Sequence, residues 1–130
     1  MSAGIYNFTI EQGTTVDFEI QYTDVNDLPI NLAGYSGRMQ IKSGFANDRP
    51  TTYASLSSSR YPDRTGLNFS GSSGTKPVAS GSIGIYISAV SSSAFTFPKA
   101  KYDLELVSGS TVIRILEGTI TLSKEVTTIP

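Results

Sequence analysis

The sequence contains no cysteine, no histidine and no tryptophan among its 130 residues. Without cysteine the chain can form neither a disulfide framework nor a thiolate metal site. Without histidine it lacks the side chain most used for proton transfer near neutral pH, which is also the commonest metal ligand. Because a Ser–His triad cannot be built either, we predict that the protein is not an enzyme and uses no cofactor.

Charged residues are few and nearly balanced in sign. Ten Lys and Arg residues stand against eleven Asp and Glu residues, which gives a net charge of −1. No basic field is available to attract nucleic acid or anionic lipid. The first residues carry no secretory signal and no apolar run has the length of a membrane span. We therefore expect no nucleic-acid or membrane partner, and folding in a cytoplasm.

Apolar residues recur with a period of two along most of the chain, which is typical of half-buried β-strands. The clearest such segments are 14–22, 35–43, 82–88, 100–107 and 111–123. A first strand is also predicted over 5–10, and two weaker strands near 52–56 and 66–70. One short helix is predicted near 89–95, with Ser88 as its N-cap.

Seven or eight short strands separated by turn signals predict an all-β antiparallel sandwich, with a small open barrel as the alternative. We predict a single domain over residues 1–130, in which 44–81 forms Ser- and Gly-rich loops and edge strands. The apolar phase of the last strand changes between Leu116 and Ile120. A bulge at Gly118 is expected to restore the apolar face to the core.

The carboxylates of the chain fit structural roles. Two pairs alternate with apolar residues and so belong to the solvated faces of strands: Asp17 with Glu19, and Asp103 with Glu105. Asp24, Asn26 and Asp27 look like a fragment of a calcium loop but lack its closing Glu, so an Asx-rich turn is favoured. No metal site is predicted.

Tyrosine and arginine, which are enriched at the energetic centres of protein interfaces, occur together in the Ser-rich stretch. Tyr6 and Tyr86, outside it, fall on phases that can face outward. We predict an interface that uses Tyr53, Arg60, Tyr61, Arg64, Tyr6 and Tyr86. For the loop residues the alternative is a merely solvated loop.

Several stretches occur in a characteristic order: QGTTVDF at 12–18, LPINLAGYSGRMQIK at 28–42, ISA at 87–89, YDLEL at 102–106 and LEGTITLSKEVT at 116–127. Together they resemble a group of small virion structural proteins of tailed bacteriophages. The set is similar to the N-terminal domain of baseplate upper proteins, which carry receptor-binding proteins or fibres. The stretch 45–81 departs from this pattern, because it is longer and richer in serine.

The resemblance implies an immunoglobulin-like β-sandwich and a tail adaptor or connector, at the baseplate or at a tail-fibre attachment point. It implies a location in the virion after assembly in the host cytoplasm. Expected partners are other virion proteins and further copies of the chain, as a homo-oligomer. A connector role is favoured over direct receptor binding, because the resemblance includes no fibre domain.

Two other functions remain open from the residues. One is a capsid decoration protein, which could use the same sandwich. The other is a carbohydrate-binding module, with Tyr53 and Tyr61 as a stacking platform. For assembly, we hypothesise that edge strands pair with a neighbour's sheet, and that terminal arms at 1–4 and 127–130 are exchanged between subunits.

Overall fold

A computed structural model describes residues 4–45 and 49–126. The predicted arms therefore lie outside the described residues, except for Gly4. Within the described residues, nine strands form two sheets, accompanied by a short α-helix and one 3-10 turn. The strands are β1 Gly4–Ile5, β2 Phe8–Glu11, β3 Val16–Gln21, β4 Ser36–Lys42, β5 Thr52–Ser57, β6 Gly66–Asn68, β7 Ser82–Ile87, β8 Lys99–Ser108 and β9 Thr111–Ser123. The 3-10 turn, Val78–Ser80, precedes β7, and helix α1, Ala89–Ser93, lies between β7 and β8.

The strand order is that of an immunoglobulin-like sandwich. The larger sheet runs β1-β9-β8-β4-β5, with β2 also paired to β9, and the smaller sheet runs β3-β7-β6. The order β9-β8-β4-β5 corresponds to strands G-F-C-C′ of immunoglobulin domains, and the order β3-β7-β6 corresponds to strands B-E-D. The predicted all-β sandwich is confirmed, with nine strands where seven or eight were expected. All described pairs are antiparallel except those of β1 and β2, which run parallel to β9.

The core lies between the two sheets and takes alternate residues from facing strands. Its fully buried members include Met39 and Ile41 of β4, Ile83, Ile85 and Ile87 of β7, and Leu104 and Leu106 of β8. Each such side chain stabilises the fold by roughly 1.5–3 kcal/mol relative to exposure. The predicted N-cap is also present, because Ser88 Oγ accepts a hydrogen bond from Ser91 N at 3.2 Å.

The segment predicted as one strand over 5–10 is divided into β1 and β2 by Tyr6 and Asn7. Both pieces still pair with β9, and the break lies beside Gly118. A Cβ added at Gly118 would collide with the carbonyl oxygen of Tyr6. At the break, Asn7 Oδ1 accepts a hydrogen bond from Thr119 N at 2.8 Å. An Asn side chain thus takes the place of a backbone partner there.

The bulge in β9 lies at Ile115, so its predicted position at Gly118 was wrong. Leu104 of β8 is opposite Leu116, whereas Glu105 is opposite Arg114, which leaves Ile115 as the extra residue. The bulge does restore the apolar phase, because it places an additional residue in one strand of the pair. Glycine is needed at position 118 for another reason, because the N-terminal strand passes too close to leave room for a side chain.

Candidate protein interface

The outer face of the smaller sheet is covered by the Ser-rich stretch itself. The turn at 70–74 lies on β7 above Gly84, where an added Cβ would come within 2.7 Å of Ser72 N. Ser82 and Gly84 are therefore buried although they point away from the core. At Gly84 this packing leaves no room for a side chain, whereas Tyr86, further along the same outer side of β7, is half-buried.

Glu19 of β3 holds this cover in place. Its carboxylate forms an ion pair with Lys76 and accepts a hydrogen bond from Ser72 N at 2.8 Å. The hydrogen bond from Lys76, followed by that from Ser72, lowers the pKa of Glu19, because both favour the charged carboxylate. The residue predicted as part of a solvated pair is thus the anchor of a loop.

The outer face of the larger sheet is open over the part of the chain that the structure describes. This open face is a concavity of about 870 Å³ whose floor includes Arg38, Lys42, Lys101, Asp103, Arg114 and Glu117. Apolar side chains stand at its rim: Ile5 is 75% exposed, Phe45 67% and Tyr61 57%. A charged floor with an apolar rim resembles a protein-binding surface more than an enclosed apolar ligand pocket.

Most charges of the floor are paired. Arg38 Nε lies 2.7 Å from Glu105 Oε1, and Arg114 Nε lies 3.3 Å from Asp103 Oδ2. Arg114 also reaches Glu117, with Nη1 and Oε2 3.5 Å apart. Exposed pairs of this kind contribute only about 0–1 kcal/mol each to stability. They serve instead to hold long side chains in defined positions on the face.

Two pairs of like charge lie directly across neighbouring strands of the open face. Lys42 of β4 is opposite Lys101 of β8, and these two form the lysine row. Asp103 of β8 is opposite Glu117 of β9, and these two form the acidic row. Like charges directly opposite each other destabilise a sheet. The two rows are adjacent, because Lys101 and Asp103 are two residues apart on the same face of β8.

The surroundings of Asp103, one member of the acidic row, disfavour its charged form. Burial raises the pKa of Asp103, and repulsion from Glu105 raises it further, against the opposing effect of Arg114. The carboxylate is therefore held in a setting that disfavours its charge. A cation supplied by a binding partner would relieve this cost.

Among the predicted interface residues, Arg64 and Tyr86 are in direct contact. The guanidinium carbon of Arg64 lies 4.7 Å from the centroid of the Tyr86 ring, and its Nη2 is 3.3 Å from the hydroxyl. Arg64 has a φ of 75°, a left-handed conformation that is uncommon outside glycine. Arg60 lines the same small depression, next to Asp17.

The other predicted residues lie elsewhere. Tyr61 is at the rim of the open face, whereas Arg60, Arg64 and Tyr86 line the depression on the smaller sheet. Tyr53 is half-buried against Phe97, with ring centroids 4.6 Å apart, so it does not share an exposed platform with Tyr61. Tyr6 stacks on Phe8 at a centroid distance of 5.6 Å. The six residues are thus distributed over several surfaces.

The sequence patterns did not single out the lysine and acidic rows. Alternation places Lys42, Asp103 and Glu105 on outward faces, but it does not say which residues lie opposite one another. The register of β4, β8 and β9 makes the like-charge pairs visible. The only sequence signal for the two rows is that residues of the same charge occupy outward positions on successive strands.

Turns and carboxylates outside this face have structural roles. Asp24 Oδ1 accepts hydrogen bonds from Asn26 N at 2.8 Å and Leu28 N at 3.1 Å, which is the favoured Asx-rich turn. Within residues 4–45 and 49–126, no three Asp or Glu side chains come together as metal ligands. Neither helical segment in these ranges has the length and apolar character of a membrane-spanning helix.

No protein-family model matches the sequence. A search of curated proteins found no match either.

Proposed function

We propose that this chain is a structural protein of a tailed-bacteriophage virion, acting as an adaptor or connector at the baseplate or at a tail-fibre joint. The virion setting is supported by the ordered sequence resemblance that runs through 12–18, 28–42 and 116–127. The assembly role is supported by one observation above all, the open face of the larger sheet.

The shape and chemistry of the open face suit docking against another protein. Its floor carries charged side chains, whereas small-molecule sites enclose most of their ligand between apolar walls. Its exposed rim residues Ile5, Phe45 and Tyr61 are large apolar groups of the kind that interfaces bury. Among the described residues, the turn at 70–74 lies on the smaller sheet above Gly84, and a small depression lined by Arg60, Arg64 and Tyr86 is found beside it.

The test of the virion role is the number of copies of this protein in purified particles, measured by quantitative mass spectrometry against known tail and capsid proteins. A small multiple of three or six would support a place in the baseplate or at a fibre joint, since tail symmetry sets that number. Hundreds of copies, to order of magnitude, would favour the capsid decoration alternative. Absence from particles would reject both, and glycan titration would then test the carbohydrate-binding alternative.

A further inference from the structure

We propose that the open face binds a second copy of this chain, with Lys101 of each copy against Asp103 of the other. The inference rests on the proposed function in one respect, that this face is the assembly interface, and it names the partner there. The observation behind it is the pair of adjacent rows, Lys42 with Lys101 and Asp103 with Glu117.

The charge pattern of the face is complementary to itself. The two rows are about 7 Å apart, because they are separated by two residues along β8. A two-fold axis that lies midway between the rows and parallel to them places β8 of one copy opposite β8 of the other when two such faces meet. Lys42 then faces Gln40 of the partner subunit, and Glu117 faces Thr119 of the partner subunit. Lys101 then lies opposite Asp103 of the partner subunit, and the reciprocal contact forms at the same time, as in any isologous interface.

A partner that carries charges of only one sign fits this face less well. The floor carries four basic and three acidic side chains: Arg38, Lys42, Lys101, Arg114, Asp103, Glu105 and Glu117. An acidic segment would meet the acidic row, and a basic segment would meet the lysine row. A second copy brings an acid opposite Lys101 and a base opposite Asp103, so it relieves the repulsion at one member of each like-charge pair.

The rim agrees with this arrangement. Phe45 lies just past the lysine row, with Lys101 Nζ 5.7 Å from its ring centroid. The same two-fold axis brings this exposed ring towards Arg38 and Arg114 of the partner subunit, where a cation can stack on an aromatic face.

Two charge-reversed variants test the proposal on the purified full chain. In the acidic variant, K42E/K101E, the face carries acids in both rows; in the basic variant, D103K/E117K, it carries bases in both rows. Sedimentation velocity over a range of concentrations should show that the wild-type chain dimerises and that the dimer weakens with added salt. Each variant alone should dimerise about ten-fold or more weakly, whereas an equimolar mixture should form a heterodimer.

Three results would count against the proposed dimer. A monomeric wild-type chain at all concentrations, undiminished dimers of either variant, or a mixture of folded variants that stays monomeric would each overturn the proposal. Circular dichroism establishes that each variant is folded, and the single changes K101E and D103K repeat the test if a double variant is not. A monomeric chain that is present in virions would overturn this inference alone, and a dimeric chain absent from virions would overturn the virion role alone.

Discussion

The hydroxyl group of Tyr102, on β8, donates a hydrogen bond to the backbone carbonyl oxygen of Tyr6 at a distance of 2.5 Å. The acceptor is one of the two residues that separate β1 from β2. Burial raises the pKa of Tyr102, because the charged phenolate would lose its water. A core tyrosine of the larger sheet thereby fixes the N-terminal strand at the point where its ladder is interrupted.

Removal of this hydroxyl should weaken the fold. We expect Tyr102→Phe to lower the free energy of unfolding by about 1–2 kcal/mol, because the carbonyl of Tyr6 loses its partner in a partly buried place. Urea denaturation measures the change. Tyr22→Phe is the matched control, since the half-buried Tyr22 hydroxyl makes no hydrogen bond to the described residues. Equal losses in the two variants would contradict the role assigned to Tyr102.

Gly118 should be intolerant of even one added methyl group. Gly118→Ala places a Cβ against the carbonyl group of Tyr6, so the N-terminal strand must move. We expect a loss of about 1–3 kcal/mol in the free energy of unfolding, as for other overpacked sites. Gly44→Ala is the control, because a Cβ there meets nothing within 4 Å. If G118A unfolds at the same denaturant concentration as the wild type, β1 and β2 are not held against β9 as described.

The alternation of apolar residues was sufficient to predict β3, β4, β7 and β8, because a period of two is a local property of a strand. It could not predict the break at Tyr6 and Asn7 or the bulge at Ile115. Both depend on partners far away in the chain, such as the bond between Asn7 and Thr119 across 112 residues. The pairing register of the strands therefore could not be predicted from the sequence.

The candidate site shows the same limit. Tyr61 and Arg60 are neighbours in sequence, and both were predicted to serve one interface. The turn at 61–64, closed by the hydrogen bond from Arg64 N to Tyr61 O, 2.8 Å long, brings Arg64 to the depression that Arg60 lines, while Tyr61 lies elsewhere. Tyr61 borders the open face, and Arg60 lines the depression on the other sheet. Residue type pointed to side chains that are common in interfaces, but the folded structure is needed to tell which surface each of them lies on.

The anchor formed by Glu19 should make stability depend on pH in the acid range. Its pKa in the folded chain is below the ordinary value of 4.5, so the stabilisation is fully present above that value. It is lost as the pH falls through the lowered folded pKa, because protonation ends the ion pair with Lys76. Glu19→Gln should be less stable than the wild type at pH 7 and should lose less of its stability on acidification.

Urea denaturation at pH 7 and at lower pH values tests this expectation. Asp17→Asn is the matched control, because Asp17 lies on the same strand and forms no ion pair among the described residues. Hydrogen exchange of the Ser72 amide gives a second measure, since E19Q should expose it. An E19Q variant with the wild-type pH dependence would show that this carboxylate does not anchor the loop.

Two substitutions at Arg64 should separate backbone strain from side-chain contact. Arg64→Gly relieves a positive φ, which costs roughly 1 kcal/mol in a residue other than glycine. Arg64→Ala keeps that strain, and both variants lose the contact of the guanidinium with Tyr86. We therefore expect R64A to be less stable than R64G by about 1 kcal/mol in urea denaturation. Equal stabilities would mean that the left-handed conformation at this position carries no cost.

The rim of the open face should matter for assembly and little for folding. Phe45→Ala with Tyr61→Ala removes two large exposed side chains, and surface changes of this kind usually alter stability by less than about 0.5 kcal/mol. If the face docks against another protein, the double variant should enter particles at clearly lower copy number, because interface centres are built on such aromatic groups. Val25→Ala is the control, since Val25 is as exposed but does not line the face. Normal incorporation of F45A/Y61A would move the assembly interface away from the open face, and the depression around Arg64 and Tyr86 would be the next surface to mutate.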